Sequence, residues 1–175
     1  MTHLFIINPA AGSKIPTEFL PIRNGYGQVV GCKVENKSPV DFIGRVWNLP
    51  LAAEAKETRS DSIRFDEVQD HQSDFLTAYL GQGEAICLVV VSFNLETFYS
   101  VPWPFWKAGR DAWEAARKQG KRKAEKITVT YDGQTWTTPG RASVKESELL
   151  EEWRVPFGGS YGLDYLYWVS GDDEI

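Results

Sequence analysis

Two carboxylates and a lysine stand out by type and spacing. Asp41 lies in the run Ser38-Pro39-Val40-Asp41-Phe42-Ile43-Gly44, and after twelve intervening residues the chain reads Glu54-Ala55-Lys56-Glu57-Thr58. Side chains alternate along a strand, so Glu54 and Lys56 share one face and Ala55 takes the other. If the preceding strand ends at Asp41, its carboxylate meets Glu54 across the pair. Two converging carboxylates with the Ala55 carbonyl form an oxygen-rich site suited to Mg²⁺ or Mn²⁺. Lys56 beside them can orient a water and offset charge on an attacked phosphate, which is the equipment of metal-assisted phosphodiester hydrolysis. On spacing alone the same residues also fit a surface cross-strand charge cluster, which contributes little to stability. Glu35-Asn36-Lys37 repeats the Glu-x-Lys pattern, but no strand carrying an Asp precedes it.

Composition narrows the alternatives. The chain has 175 residues, 42% of them apolar, enough for one domain spanning 1–175. Two cysteines, Cys32 and Cys87, and two histidines, His3 and His71, argue against a disulfide scaffold, a four-ligand zinc site or a histidine-rich metal centre. No window approaches the roughly 18 apolar residues of a membrane span. The start, MTHLFIINP, lacks the basic opening and cleavage site of a signal peptide. A cytoplasmic protein is expected.

A net charge of −5 speaks at first against nucleic acid, but its distribution does not. Residues 1–145 carry 18 basic and 16 acidic side chains, whereas residues 146–175 carry one and eight. Between Lys107 and Lys126 there are eight basic residues and three acidic ones. Within this stretch Lys118, Lys121, Arg122 and Lys123 form a basic patch, and Arg59 and Arg64 follow the catalytic strand. All six are candidate phosphate contacts.

The elements that must position these residues follow from pattern. Strands are predicted over 4–7, 28–34, 40–43 and 51–56, the last two joined through Gly44 and Asn48-Leu49-Pro50. Residues 8–14 read as a loop, and Pro16 opens a short helix containing Glu18 that Pro21 stops. A helix over 66–80 is predicted from Val68, Phe75, Leu76, Tyr79 and Leu80 on one face, with Gly81 ending it. The apolar run 85–93 reads as a central strand covered on both faces, with 96–101 beside it. A second helix over 102–118 carries Trp103, Trp106 and Trp113 as a core-facing stripe. Strands 127–131 and 135–138 flank Asp132-Gly133, a hairpin signal. A short helix at 147–153, a last strand at 163–169 and a frayed acidic tail at 171–175 complete the chain. The order predicts a mixed central β-sheet flanked by helices.

The run Asp41-Phe42 with Gly44, then Glu54-Ala55-Lys56-Glu57-Thr58, then His71-Gln72, the strand 85–93 and Gly162-Leu163-Asp164-Tyr165-Leu166, resembles the RecU-type Holliday junction resolvases. That family belongs to the PD-(D/E)xK nucleases, whose archaeal-type Hjc resolvases are distant relatives. The resemblance implies a restriction-endonuclease-like core and a homodimeric, Mg²⁺-dependent endonuclease that nicks two opposed strands of a four-way DNA junction. The nicks would leave 5′-phosphate ends. Asp41, Glu54 and the Ala55 carbonyl would hold metal, and Lys56 would position the nucleophilic water. Gln72 would support the site from the helix, and Glu18 takes the place of a helical glutamate common in related resolvases. His71 beside Gln72 reads as a helix-surface or capping residue in preference to a catalytic one. The long stalk segment that the family inserts before the catalytic Asp has no room here, and the Asp132-Gly133 hairpin reads as an addition. A nuclease of the same superfamily acting on other DNA, and a non-catalytic junction-binding protein, are the alternatives. The stretch Asn8-Pro9-Ala10-Ala11-Gly12 resembles the opening of diacylglycerol-kinase-type lipid kinases, but the Gly-Gly-Asp-Gly motif they need is missing.

Overall fold

A computed structural model describes residues 11–14, 18–36, 38–46 and 49–156. The strands expected at 4–7 and 163–169 and the tail at 171–175 lie outside them. A five-stranded mixed sheet runs in the order β1 (Ala11–Lys14), β4 (Phe42–Val46), β5 (Leu49–Thr58), β7 (Ile86–Phe93), β8 (Thr97–Pro102). Only the β5–β7 pair is parallel. Parallel neighbours need a crossover, and the chain supplies it through β6 (Ser62–Arg64), a 3-10 turn at Phe65–Glu67 and helix α1 (Asp70–Leu80).

β7 carries ICLVVVSF, and every residue is buried. Residues alternate between two apolar clusters. Cys87, Val89, Val91 and Phe93 face α1 and α2 (Trp103–Lys118). Ile86, Leu88 and Val90 face the opposite side with Leu51 and Ala53. Asn94 and Leu95, both at positive φ, make the tight turn into β8. On α2, Trp103 and Trp106 are fully buried, as a core-facing stripe requires, and Trp113 is half-buried.

Several boundaries differ from the sequence-based expectation. The segment expected as a loop contains β1, which pairs with β4. From Glu18 onward the expected short helix is not formed. Glu18–Arg23 is strand β2, paired antiparallel with β3 (Val29–Asn36) as a hairpin outside the main sheet. Prolines at 16 and 21 leave no room for helical hydrogen bonds, whereas an edge strand tolerates Pro21. Asp41 does not end a strand but immediately precedes β4. Gly44 lies inside β4, not in the connection to β5. The first helix starts at Asp70, because Phe65–Glu67 forms a 3-10 turn and Val68 is extended. The expected helix at 147–153 is two 3-10 turns, Glu146–Glu148 and Glu151–Trp153. The Asp132-Gly133 turn does join β9 (Thr128–Tyr131) and β10 (Gln134–Thr137), both turn residues having positive φ. A short strand β11 (Ser143–Lys145), without a sequence signal, pairs with β6. Among the described residues no helix is long and apolar enough to cross a membrane.

Helix α2 holds the segment before α1 at very short range. Trp106 Nε1 donates to the Phe65 carbonyl at 3.1 Å. Gly109 lies against the Phe65 ring, where a Cβ would come within 2.4 Å of Cζ. Phe65 is fully buried and packed edge-on to Trp106, so it cannot step aside. Gly109→Ala should therefore destabilise the protein by about 1–3 kcal/mol through overpacking. Urea unfolding checks this, and an unchanged midpoint would contradict the close approach.

Candidate active site

The site is built where the β4–β5 ladder ends. Phe42 pairs with Ala53 and Ile43 with Ala52, so one further step sets Asp41 opposite Glu54. There the backbone ladder gives way to side chains. The Asp41 N–H donates to Glu54 Oε2 at 3.2 Å, and the Ala55 N–H donates to Asp41 Oδ2 at 3.0 Å. Each carboxylate thus accepts an amide that has left the ladder, so neither amide is orphaned.

Glu54 follows Ala52 at two-residue spacing and so faces the helices. It is 1% exposed, a rare depth for a carboxylate. Three donors meet it. Besides the Asp41 amide, Lys56 Nζ lies 2.6 Å from Oε1, and Gln72 Nε2 donates to the same oxygen. Gln72 Oε1 in turn accepts the Gln69 N–H at 2.9 Å and Lys56 Nζ at 3.4 Å. Gln72 is also the third residue of α1, and with Gln69 at the N-cap it completes a capping box. The residue that starts the helix therefore also clamps the site.

Burial raises the Glu54 pKa above its ordinary 4.5, and the nearby Asp41 charge adds to this, while the hydrogen bond and charge of Lys56 act against it. A buried carboxylate whose ionised form is disfavoured is one that a divalent cation would relieve. The donor set fits such an ion. Asp41 and Glu54 present hard oxygens on adjacent strands. The Ala55 carbonyl faces the same side as its N–H, as both groups of one strand residue do, and that N–H reaches Asp41. Among the described residues there is no cluster of three or more His, Cys, Asp or Glu side chains. Two carboxylates and a carbonyl leave most of an octahedral shell to water and substrate, as Mg²⁺ sites do.

The other candidates are distributed unevenly. Gln72 belongs to the constellation. Glu18 begins a strand of the separate hairpin. Arg59 is exposed just beyond β5. Arg64 is engaged by Asp66 in a two-pronged pair, at 2.8 and 2.7 Å. Lys118, Lys121, Arg122 and Lys123 are exposed at and beyond the end of α2, and none has an ion pair among the described residues. They do not touch the carboxylates; the Asp66 carboxyl is held below its ordinary range chiefly by the Arg64 hydrogen bond, with a lesser contribution from the charge of Arg117 beside them. Sequence reasoning missed the Gln69–Gln72 capping box. Its signal, Gln-x-x-Gln ahead of an apolar run, was present.

A titration separates the buried charge from a surface cluster. Because the folded-state pKa of Glu54 is raised, its ionisation opposes folding above that pKa, and acidification relieves the cost. In divalent-free buffer the stability of the wild type should gain on that of Glu54→Gln as pH falls from 7 toward 4.5. Urea unfolding at stepped pH measures the difference, and a flat difference would contradict the burial.

Residues 7–143 match the family model described as RecU, Recombination protein U. No curated protein matches the chain. Among solved structures, it is similar to Hjc of Archaeoglobus fulgidus, a Holliday junction resolvase from an archaeal hyperthermophile. That similarity is 12% in identity with a TM-score of 0.35, over 74% of this chain and 71% of that one. With the family model covering well over half of its length, the chain belongs to the RecU family of Holliday junction resolvases.

Proposed function

We propose that this protein is a homodimeric, Mg²⁺-dependent endonuclease that resolves four-way DNA junctions by paired nicks leaving 5′-phosphate ends, with Mn²⁺ able to substitute. The observation that carries this is the buried Glu54 joined to Asp41 at the end of the β4–β5 ladder, with Lys56 held against it. Asp41, Glu54 and the Ala55 carbonyl would bind the ion, which supplies an acidified water and neutralises charge on the attacked phosphate. Lys56 has three ammonium donors, of which Glu54 and Gln72 take two. The third is left for the attacking water or a phosphate oxygen. Its 17% exposed side chain opens that donor to substrate. Gln72 keeps the ammonium aligned, because its Oε1 is itself fixed by the helix cap.

Two symmetric nicks need two sites, and a two-fold dimer supplies the second. The exposed cations at Arg59, Lys118, Lys121, Arg122 and Lys123 would meet phosphates on either side of the cut. Arg64 would join them once DNA competes with Asp66. Tyr26, 92% exposed on the β2–β3 turn, offers a stacking surface for an unpaired base. Glu18, in the same hairpin, is proposed as an auxiliary acid of the site.

A labelled synthetic four-way junction, with linear and forked duplexes as controls, tests the reading. Symmetric cutting only with Mg²⁺ or Mn²⁺ is expected. Equal cutting of linear duplex would leave a nuclease of the same superfamily with another substrate, and binding without cutting would favour a junction-binding protein. Asp41→Asn should abolish cleavage and keep junction binding. Replacing Lys121, Arg122 and Lys123 together by Ala should weaken binding and flatten its dependence on the logarithm of salt by about 0.9 for each phosphate no longer neutralised. An unchanged slope would remove this patch from the interface.

A further inference from the structure

Arg110 is a buried charge that the chemistry above does not use. It lies in α2 at 6% exposure, and its guanidinium is spent almost wholly on the start of α1. Nε donates to the Val68 carbonyl at 3.1 Å, Nη1 to Ser73 Oγ at 3.3 Å, and Nη2 to Asp70. A fourth acceptor, Glu114 Oε1, lies 2.9 Å from Nη1 on α2 itself. Burying a guanidinium is costly unless its donors are met, and an apolar residue would pack two helices together at lower cost. A cation at a helix N-terminus also opposes the helix dipole, which here Asp70 offsets. What the arrangement gains is position. The Arg fork fixes acceptors before, at and after the helix start at once, which the point charge of a lysine cannot do.

The same turn is gripped from its other side. Val68, Asp70 and Ser73 meet Arg110, while Gln69 and Gln72, interleaved with them, form the cap whose side chain reaches Glu54 and Lys56. We infer that Arg110 is a positioning residue of the active site, setting the first turn of α1 so that Gln72 meets Glu54 and aligns Lys56. This rests on the nuclease function proposed above and adds a residue to it that touches neither metal nor DNA.

The test is a double-mutant cycle between Arg110→Lys and Gln72→Ala, on the full chain with the four-way junction in Mg²⁺. Arg110→Lys keeps a cation but loses the fork. It should leave KM within about twofold and lower kcat by about ten- to a hundredfold, the scale of a small misplacement of reacting groups. Gln72→Ala should do the same, and the double variant should be no slower than the slower single one, because the two act through one contact. Multiplicative losses, or a loss confined to KM, would overturn the inference. Should Arg110→Lys fail to fold, Ser73→Ala, which removes one acceptor of the fork, takes its place in the cycle. If the wild type cuts no DNA at all, the nuclease reading fails separately, and the same cycle in unfolding free energy decides: coupling between the two sites sustains the positioning role and strict additivity overturns it.

Discussion

The two side-chain bonds that close the β4–β5 ladder, the Asp41 amide to the Glu54 carboxylate and the Ala55 amide to the Asp41 carboxylate, are the constraint on which the rest of this structure depends. A sheet ladder that simply stopped at Phe42 would leave the amides of Asp41 and Ala55 without partners. The two side chains take over that role and become the end of the ladder. In doing so they bring two negative charges close together on one face, an arrangement unfavourable by itself. Everything nearby answers that charge. Lys56 comes from the same strand, Gln72 from the helix above, and the desolvation of Glu54 remains as a standing bias toward cations.

Because Gln72 is both a cap and a clamp, the geometry of the site becomes a property of helix placement. Helix α1 is only eleven residues long, too short to hold its own end rigidly. Its start is pinned from α2, through Trp106 to Phe65, through the glycine contact at 109, and through the Arg110 fork. The basic residues at the far end of α2 lie two turns beyond Arg110, about 12 Å along the axis. One rigid rod thus bears on the site at its middle and carries exposed cations at its end.

Much of this was legible in the sequence, for identifiable reasons. The alternation Glu54-Ala55-Lys56 placed Glu54 and Lys56 on one face, as strand periodicity requires, and the position of Asp41 set its carboxylate across from them. The Asp132-Gly133 turn and the apolar run of β7 were equally plain. What failed was local pattern under tertiary control. Glu18 sits among residues that read as a proline-bounded helix, yet antiparallel pairing with Val29–Asn36 claims them. The 66–80 pattern ran through Val68, because burial places Val68 in the core from an extended backbone as well as it would from a helix. The charge count around Lys107–Lys126 could not separate Arg110, turned inward, from Lys121, turned out. Inward or outward direction for a long side chain is decided by acceptors far away in sequence, and those of Arg110 lie some forty residues back.

Cys87 has a practical consequence of its own. It pairs in register with Ala52, two residues from Glu54, and burial pushes its thiol up to about 12. At neutral pH it has almost no thiolate, and its side chain lies between the sheet and the helices, so alkylating reagents meet it only when the helices lift from the sheet. Its modification rate is therefore a built-in clock for the lifting of the helices from the sheet face on which Glu54 lies.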